Sequence, residues 1–311
     1  MNPAFSVITF TLVAGAAQGL VVALAMTGLF GVSASAGFLS RTLMIAVAML
    51  VIGLGASFAH LGRPERAWRA ATMWRTSWLS REVIVLPAFI AVVSVWCLSL
   101  RSNPESGLAV LLLPALAIVV SAFLWYCTAM IYACLRFIEE WAHPLTVANF
   151  ILVGMSSGLV LCCALASNAN ELVLAAVVAP AALFTTLVAW MSRVVAMRRN
   201  FAIRHRSTLQ TAIGVHAPLL KQTSMGMSAG SFNTREFFHH ASAAAVRHVR
   251  WAGQALGFGV PAALLAWGWI SGAAVAWPLA VVVQATGLMA DRWLFFAEAK
   301  HPQNLYYQVV S

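Results

Sequence analysis

The chain has 311 residues, 61% of them hydrophobic and only 9% charged, whereas a soluble domain carries roughly 25% charged residues. Mean hydropathy is +0.85, which excludes a water-soluble globular enzyme and predicts an all-α integral membrane protein, a single membrane domain over 1–311. The net charge of +10 comes without a nucleic-acid-binding motif, so no nucleic-acid partner is expected and membrane topology must account for the excess.

In chain order, apolar runs of crossing length predict a bundle of about eight transmembrane helices, at 5–30, 42–59, 83–100, 108–134, 146–166, 172–190, 251–270 and 274–296. The first run starts almost at Met1, has no basic flank and is long enough to cross, so it reads as a retained span and not a cleaved signal. An even number of crossings puts both termini on one face. That face also owns an amphipathic loop at 61–81, a short loop at 135–145 and a long basic loop at 191–250. Of the 19 Lys and Arg residues, only Arg41 and Arg101 fall on the other face. The positive-inside rule then makes the crowded face, termini included, cytoplasmic.

Three small-residue pairs, Gly15 with Gly19, Gly154 with Gly158 and Gly253 with Gly257, predict close helix packing. Trp251, Trp267, Trp269, Trp277 and Trp293 are expected at the membrane interfaces. Asp291 and Arg292 stand side by side near the end of the last span, where pairing with each other would soften their burial. Gln18, Gln254 and Gln284 are the intramembrane amides, and they keep a secondary transporter open as an alternative class. Transporters of that kind show inverted repeats. Here only Ser80-Arg81-Glu82 echoes Thr234-Arg235-Glu236.

Of eight histidines, only His60 closes an apolar run; His143, His205, His216, His239, His240, His248 and His301 are placed in loops or the tail. A membrane haem needs histidines facing one another from within helices, so none is expected. Cys97, Cys127, Cys134, Cys162 and Cys163 form no C-x-x-C pair, and neither a disulfide, an iron–sulfur cluster nor another metal site is expected in this chain. Any metal centres would belong to partners.

The densest chemistry lies between the second and third spans. The loop carries Arg63, Arg66, Arg69, Arg75 and Arg81 among tryptophans, a strip suited to anionic lipid headgroups or to docking a partner subunit. The third span is expected to reopen at Ser80. His60 and Glu82 then meet the same membrane boundary from two helices. Either alone reads as a helix-end residue satisfied by the dipole. Together they supply what a quinone site needs, a donor for a ring carbonyl and a proton relay.

At this stretch the sequence resembles the membrane anchor subunit of the dimethyl sulfoxide reductase family of bacterial molybdoenzymes. The likeness rests on His60-Leu61-Gly62-x-Pro64, on Ser77-Trp78-Leu79-Ser80-Arg81-Glu82, on the run from Tyr126 to Tyr132, and on Arg292-Trp293-Leu294-Phe295-Phe296-Ala297-Glu298. The resemblance implies a complex of three subunits in the bacterial inner membrane: a molybdopterin catalytic subunit, a subunit with [4Fe–4S] clusters, and this haem-free anchor exchanging electrons with ubiquinone or menaquinone. It also implies that His60 and Glu82 lie at the quinone. The runs Arg204-His205-Arg206 to Gly214 and Gly230 to Phe238 look like those of sulfite-oxidising members, whose partners work in the cytoplasm. A dimethyl sulfoxide reductase anchor oxidising menaquinol is the alternative within the family.

Overall fold

The computed structural model describes residues 1–2, 4–32, 34–59, 61, 63–224, 234 and 237–307. Among them, eight helices are long and apolar enough to cross a membrane, and there is no strand. They are α1 (Phe5–Leu29), α2 (Ala36–Phe58), α3 (Trp78–Ser102), α4 (Leu108–Ala133), α5 (Pro144–Asn168), α6 (Leu172–Ala202), α8 (Ala243–Ser271) and α9 (Ala276–Ala297). A short α7 (Leu209–Ile213) lies between α6 and α8. π-Helical turns open α4 at Leu108–Leu112 and interrupt α8 at Ala255–Gly259.

The helices form two rings of four. In the first, α1 packs on α2, α2 on α3, α3 on α4 and α4 back on α1; in the second, α5, α6, α8 and α9 close in the same way. The rings meet where α1 lies along α5, flanked by contacts of α4 with α5 and of α1 with α9. Both glycine pairs foreseen on α1 and α5 are in this seam and face each other. A Cβ on Gly19 would collide with the Gly154 carbonyl, and one on Gly158 would collide with the Gly19 backbone. Gly257 of α8 meets Gly287 of α9 in the same manner, a partner that spacing along the sequence does not single out. Between helices in lipid there is no hydrophobic drive, so close backbone approach of this kind supplies the dispersion energy that holds them.

The spans agree with the hydropathy reading, but three boundaries are corrected. The basic loop expected at 191–250 is helical at both ends, since α6 runs on to Ala202 and α8 begins at Ala243 with Ser242 as its N-cap. Hydropathy marks the hydrocarbon slab; the helix continues beyond it, where Arg198 and Arg199 reach polar surroundings. His248, placed in that loop by sequence, is therefore on the first turns of α8 and exposed. Within 61–81 the chain forms a 3₁₀ helix, Pro64–Met73, and α3 is capped by Ser77, whose Oγ accepts from the Ser80 amide. The helix thus reopens three residues before the serine expected to start it. Trp277, in the first turn of α9, is buried against Gly268, while Trp251, Trp267 and Trp269 are exposed.

The described residues of the connections 59–77, 134–143 and 203–242 lie at the end of the bundle where α1 begins and α9 ends, and the Met1 amine donates to the Ala297 carbonyl at 3.2 Å. Gly158→Ala should force α1 and α5 apart and cost about 1–3 kcal/mol, read as a lower unfolding temperature in detergent. Gly55→Ala, whose new methyl meets nothing within 4 Å, should be neutral.

Candidate functional site

Glu82 lies on the second turn of α3 and is 5% exposed. Thr128 of α4 donates a short hydrogen bond to its carboxylate, and among the described residues no Lys or Arg pairs with it. The surface beside it is aromatic: Trp78 meets Tyr126 edge-on at 5.3 Å. His60, the other residue expected here, lies outside the described residues. Its neighbour Ala59 closes α2, and the Leu61 amide returns to the Phe58 carbonyl at 3.1 Å.

The five loop arginines divide. Arg81 turns back on its own loop: Nε and Nη2 donate to the carbonyls of Trp74 and Arg75, both at 2.9 Å, and the guanidinium stacks 4.1 Å above the Trp78 ring. It ties the end of the 3₁₀ segment to the start of α3. Arg63, Arg66, Arg69 and Arg75 are exposed, with Arg69 stacked over Trp68 and Arg75 over Trp74. Trp68, Met73 and Trp74 are exposed with them, giving a surface both cationic and apolar.

The expected Asp291–Arg292 pair does not form. Successive residues of a helix point about 100° apart, so the two side chains enter different contacts. Asp291 accepts from Arg193 Nε of α6 at 2.6 Å, with both residues buried. Arg292 instead stacks 3.9 Å from the centre of the Phe150 ring and faces a small cavity lined by Gln18, Trp125 and Thr128. The neighbouring tail residues Phe295 and Phe296 pack with Trp141 and Phe150 around Tyr132, and Glu298 binds Arg250 at 2.7 Å. The tail motif is thus a set of inter-helix contacts surrounding one buried guanidinium.

Thr128, Trp125 and Arg292 join the site only in three dimensions. Trp125, Thr128 and Tyr132 recur at three- and four-residue steps on one face of α4, a periodicity that is visible in the sequence once a partner for Glu82 is sought there. The amides that favour a transporter in the sequence serve packing at two of three positions. Gln254 accepts from Trp190 at 3.0 Å, and Gln284 donates to Ser156, itself bonded to Thr186. Four cysteines are buried among the helices and Cys134 is exposed, all as free thiols. Among the described residues, no group of His, Cys, Asp and Glu has metal-site geometry.

Arg193→Met alone should destabilise the fold by about 3–5 kcal/mol because it strands a buried carboxylate, whereas the double change with Asp291→Leu should recover most of that loss in thermal melts. Arg81→Ala removes two carbonyl contacts. It should speed amide hydrogen exchange across 61–77 by an amount equivalent to about 1–2 kcal/mol while leaving α5–α9 protected as before.

Beside this geometry, the likeness to known proteins is specific. The family model described as DMSO reductase anchor subunit (DmsC) matches residues 1–221. The chain is also 45% identical, over 327 aligned positions that cover all of both proteins, to a sulfite dehydrogenase subunit from Allochromatium vinosum. An anchor subunit works with catalytic partner subunits, and the exposed cationic strip lies outside the helix bundle. By a family match over well more than half its length and a relative matched from end to end, this multi-pass membrane chain belongs to the DMSO reductase anchor subunit (DmsC) family.

Proposed function

We propose that the chain anchors a sulfite-oxidising molybdoenzyme in the bacterial inner membrane and carries the site where its electrons reduce quinone. The observation that carries this reading is Glu82: a buried carboxyl in the first bundle, held by a threonine and free of any cation among the described residues. Such an acid gives or takes a proton without breaking an ion pair. Reducing a quinone to a quinol consumes two electrons and two protons, so a proton-handling group at the edge of hydrocarbon is what the chemistry requires. His60, which follows the α2 cap Ala59 in the sequence, is the proposed donor to a ring carbonyl.

The end-to-end likeness to a sulfite dehydrogenase subunit favours sulfite over dimethyl sulfoxide as the partner's substrate. In that direction sulfite and water give sulfate, two protons and two electrons, and the electrons pass through the partner's [4Fe–4S] clusters to the anchor. The family description keeps the reverse direction, quinol oxidation by a dimethyl sulfoxide reductase, as the second reading. The arginine-rich loops support a cytoplasmic position for the loop-side end, by the positive-inside rule. Arg63, Arg66, Arg69 and Arg75, with exposed Trp68, Met73 and Trp74, form the surface proposed to receive the iron–sulfur and molybdopterin subunits. Arg81 is withdrawn from that surface because its guanidinium is spent on the loop itself.

In the assembled complex, Glu82→Gln should lower sulfite-to-quinone turnover by about 100-fold, the scale of a positioned proton-transfer group. Sulfite oxidation by a dye that takes electrons directly from the catalytic subunits should be unchanged. Full quinone turnover in this variant would remove the site. Sulfoxide reduction by quinol without any sulfite oxidation would reverse the assigned direction.

A further inference from the structure

Two small cavities run in series from the interior of the second ring into the seam between the rings. One of about 20 Å³ lies between α5, α6 and α9 toward the loop-side end, walled by Glu140, Asn149, Arg193, Asn200 and Asp291. The other, about 10 Å³, lies between α1, α4, α5 and α9 and is walled by Gln18, Trp125, Thr128 and Ser157. Phe150, Val153 and Arg292 belong to both walls. At the outer end, Glu140 and Asn200 also line an open cleft that holds Glu139 and His205. At the inner end, Thr128 donates to Glu82. Each segment thus shares residues with the next, from the open cleft to the buried acid.

The walls are polar in a particular way. Of the nine buried side-chain nitrogen and oxygen atoms without a hydrogen-bond partner among the described residues, five face this seam: Glu140 Oε2, Asn149 Oδ1, Arg193 Nη2, Gln18 Oε1 and Trp125 Nε1. Their residues are all more than nine-tenths buried, and leaving each such group unsatisfied costs about 1–3 kcal/mol. A water molecule needs roughly 10–15 Å³ and several polar neighbours, and both cavities meet that measure. Waters in them would satisfy the orphaned atoms and link them into a chain.

The charges facing the seam balance. Glu140 and Asp291 stand against Arg193 and Arg292, with Asp291 taken by Arg193 and Arg292 held at the shared wall by stacking on Phe150. A fixed guanidinium at the junction opposes the passage of metal cations. It stabilises a proton deficit moving outward from Glu82 toward the cleft, the electrical equivalent of a proton moving inward.

We propose that this seam is a hydrated proton path that recharges Glu82 from the loop-side cleft, with Asn149 and Gln18 ordering its waters and Arg292 as a positioning residue. The inference rests on the quinone reading above. For each quinone reduced, two protons enter along this path and two electrons arrive from the iron–sulfur partner. Sulfite oxidation releases the same two protons and two electrons, so that sulfite, water and quinone give sulfate and quinol in balance.

The test uses the assembled complex. Asn149→Leu and Gln18→Leu should each lower sulfite-to-quinone turnover about tenfold, raise its solvent deuterium isotope effect, and regain rate when azide is added as a small proton carrier, while dye-linked sulfite oxidation stays unchanged. Asn149→Asp, which keeps the wall polar, should retain turnover. Independently of activity, radiolytic hydroxyl-radical labelling should mark buried Trp125 and Phe150 in the unmodified complex and fade in the leucine variants. Absence of labelling at both residues in the unmodified complex overturns the path even if a variant fails to assemble. Leucine variants with unchanged rate and isotope effect, beside an inactive Glu82→Gln, overturn the path and leave the quinone site standing. A fully active Glu82→Gln removes the site and the path with it.

Discussion

The close approach of α1 and α5 is the constraint on which the rest of the molecule depends. Gly19 and Gly158 let two backbones meet where any side chain would collide, and that contact holds the two four-helix rings together. Gly154 has a second duty, because a Cβ there would lie 2.6 Å from the Trp125 indole nitrogen. The same missing methyl therefore seats Trp125 beside Gln18 and Thr128, and Thr128 reaches across to Glu82. A packing feature of the seam and the placement of the buried acid are one arrangement.

Charge is sorted between the bundle interior and the loop surface according to what each must do. Inside, Arg193 is neutralised by Asp291 and Arg292 is shielded by aromatic rings, as required away from bulk water. Outside, four arginines of the 61–81 loop stand in the open on and beside a 3₁₀ segment, with Arg81 tying the loop to α3. The proposed division of labour follows from this sorting: electron-bearing partners meet the protein at the cationic surface, and proton chemistry proceeds in the interior.

Much of this is legible in the sequence. The eight spans emerge from composition because the cost of placing polar groups in hydrocarbon is written residue by residue, and the glycine pairs on α1 and α5 announce their role by spacing alone. Glu82 is marked by its position at the edge of an apolar run. Its partner is not, since Thr128 is 46 residues away and nothing periodic links the two. Adjacency in the chain pairs Asp291 with Arg292, whereas its real partner lies on α6; neighbours along a helix are not neighbours in space. The sequence points to Ser80 as the start of the third span, whereas in the folded loop Ser77 caps it.

The bond between Arg193 and Asp291 has a bearing on how the protein is made. Its partners are separated by 98 residues, so at about 5–20 residues per second the ribosome needs about 5–20 s to deliver the second after the first. During that interval Arg193 waits on α6 without its ion-pair partner, its long side chain able to reach toward the headgroups. Arrival of the last helix draws it inward. A nascent chain broken off before α9 would lack both the carboxylate that pairs with Arg193 and the helix that flanks α1 and α5 along the seam.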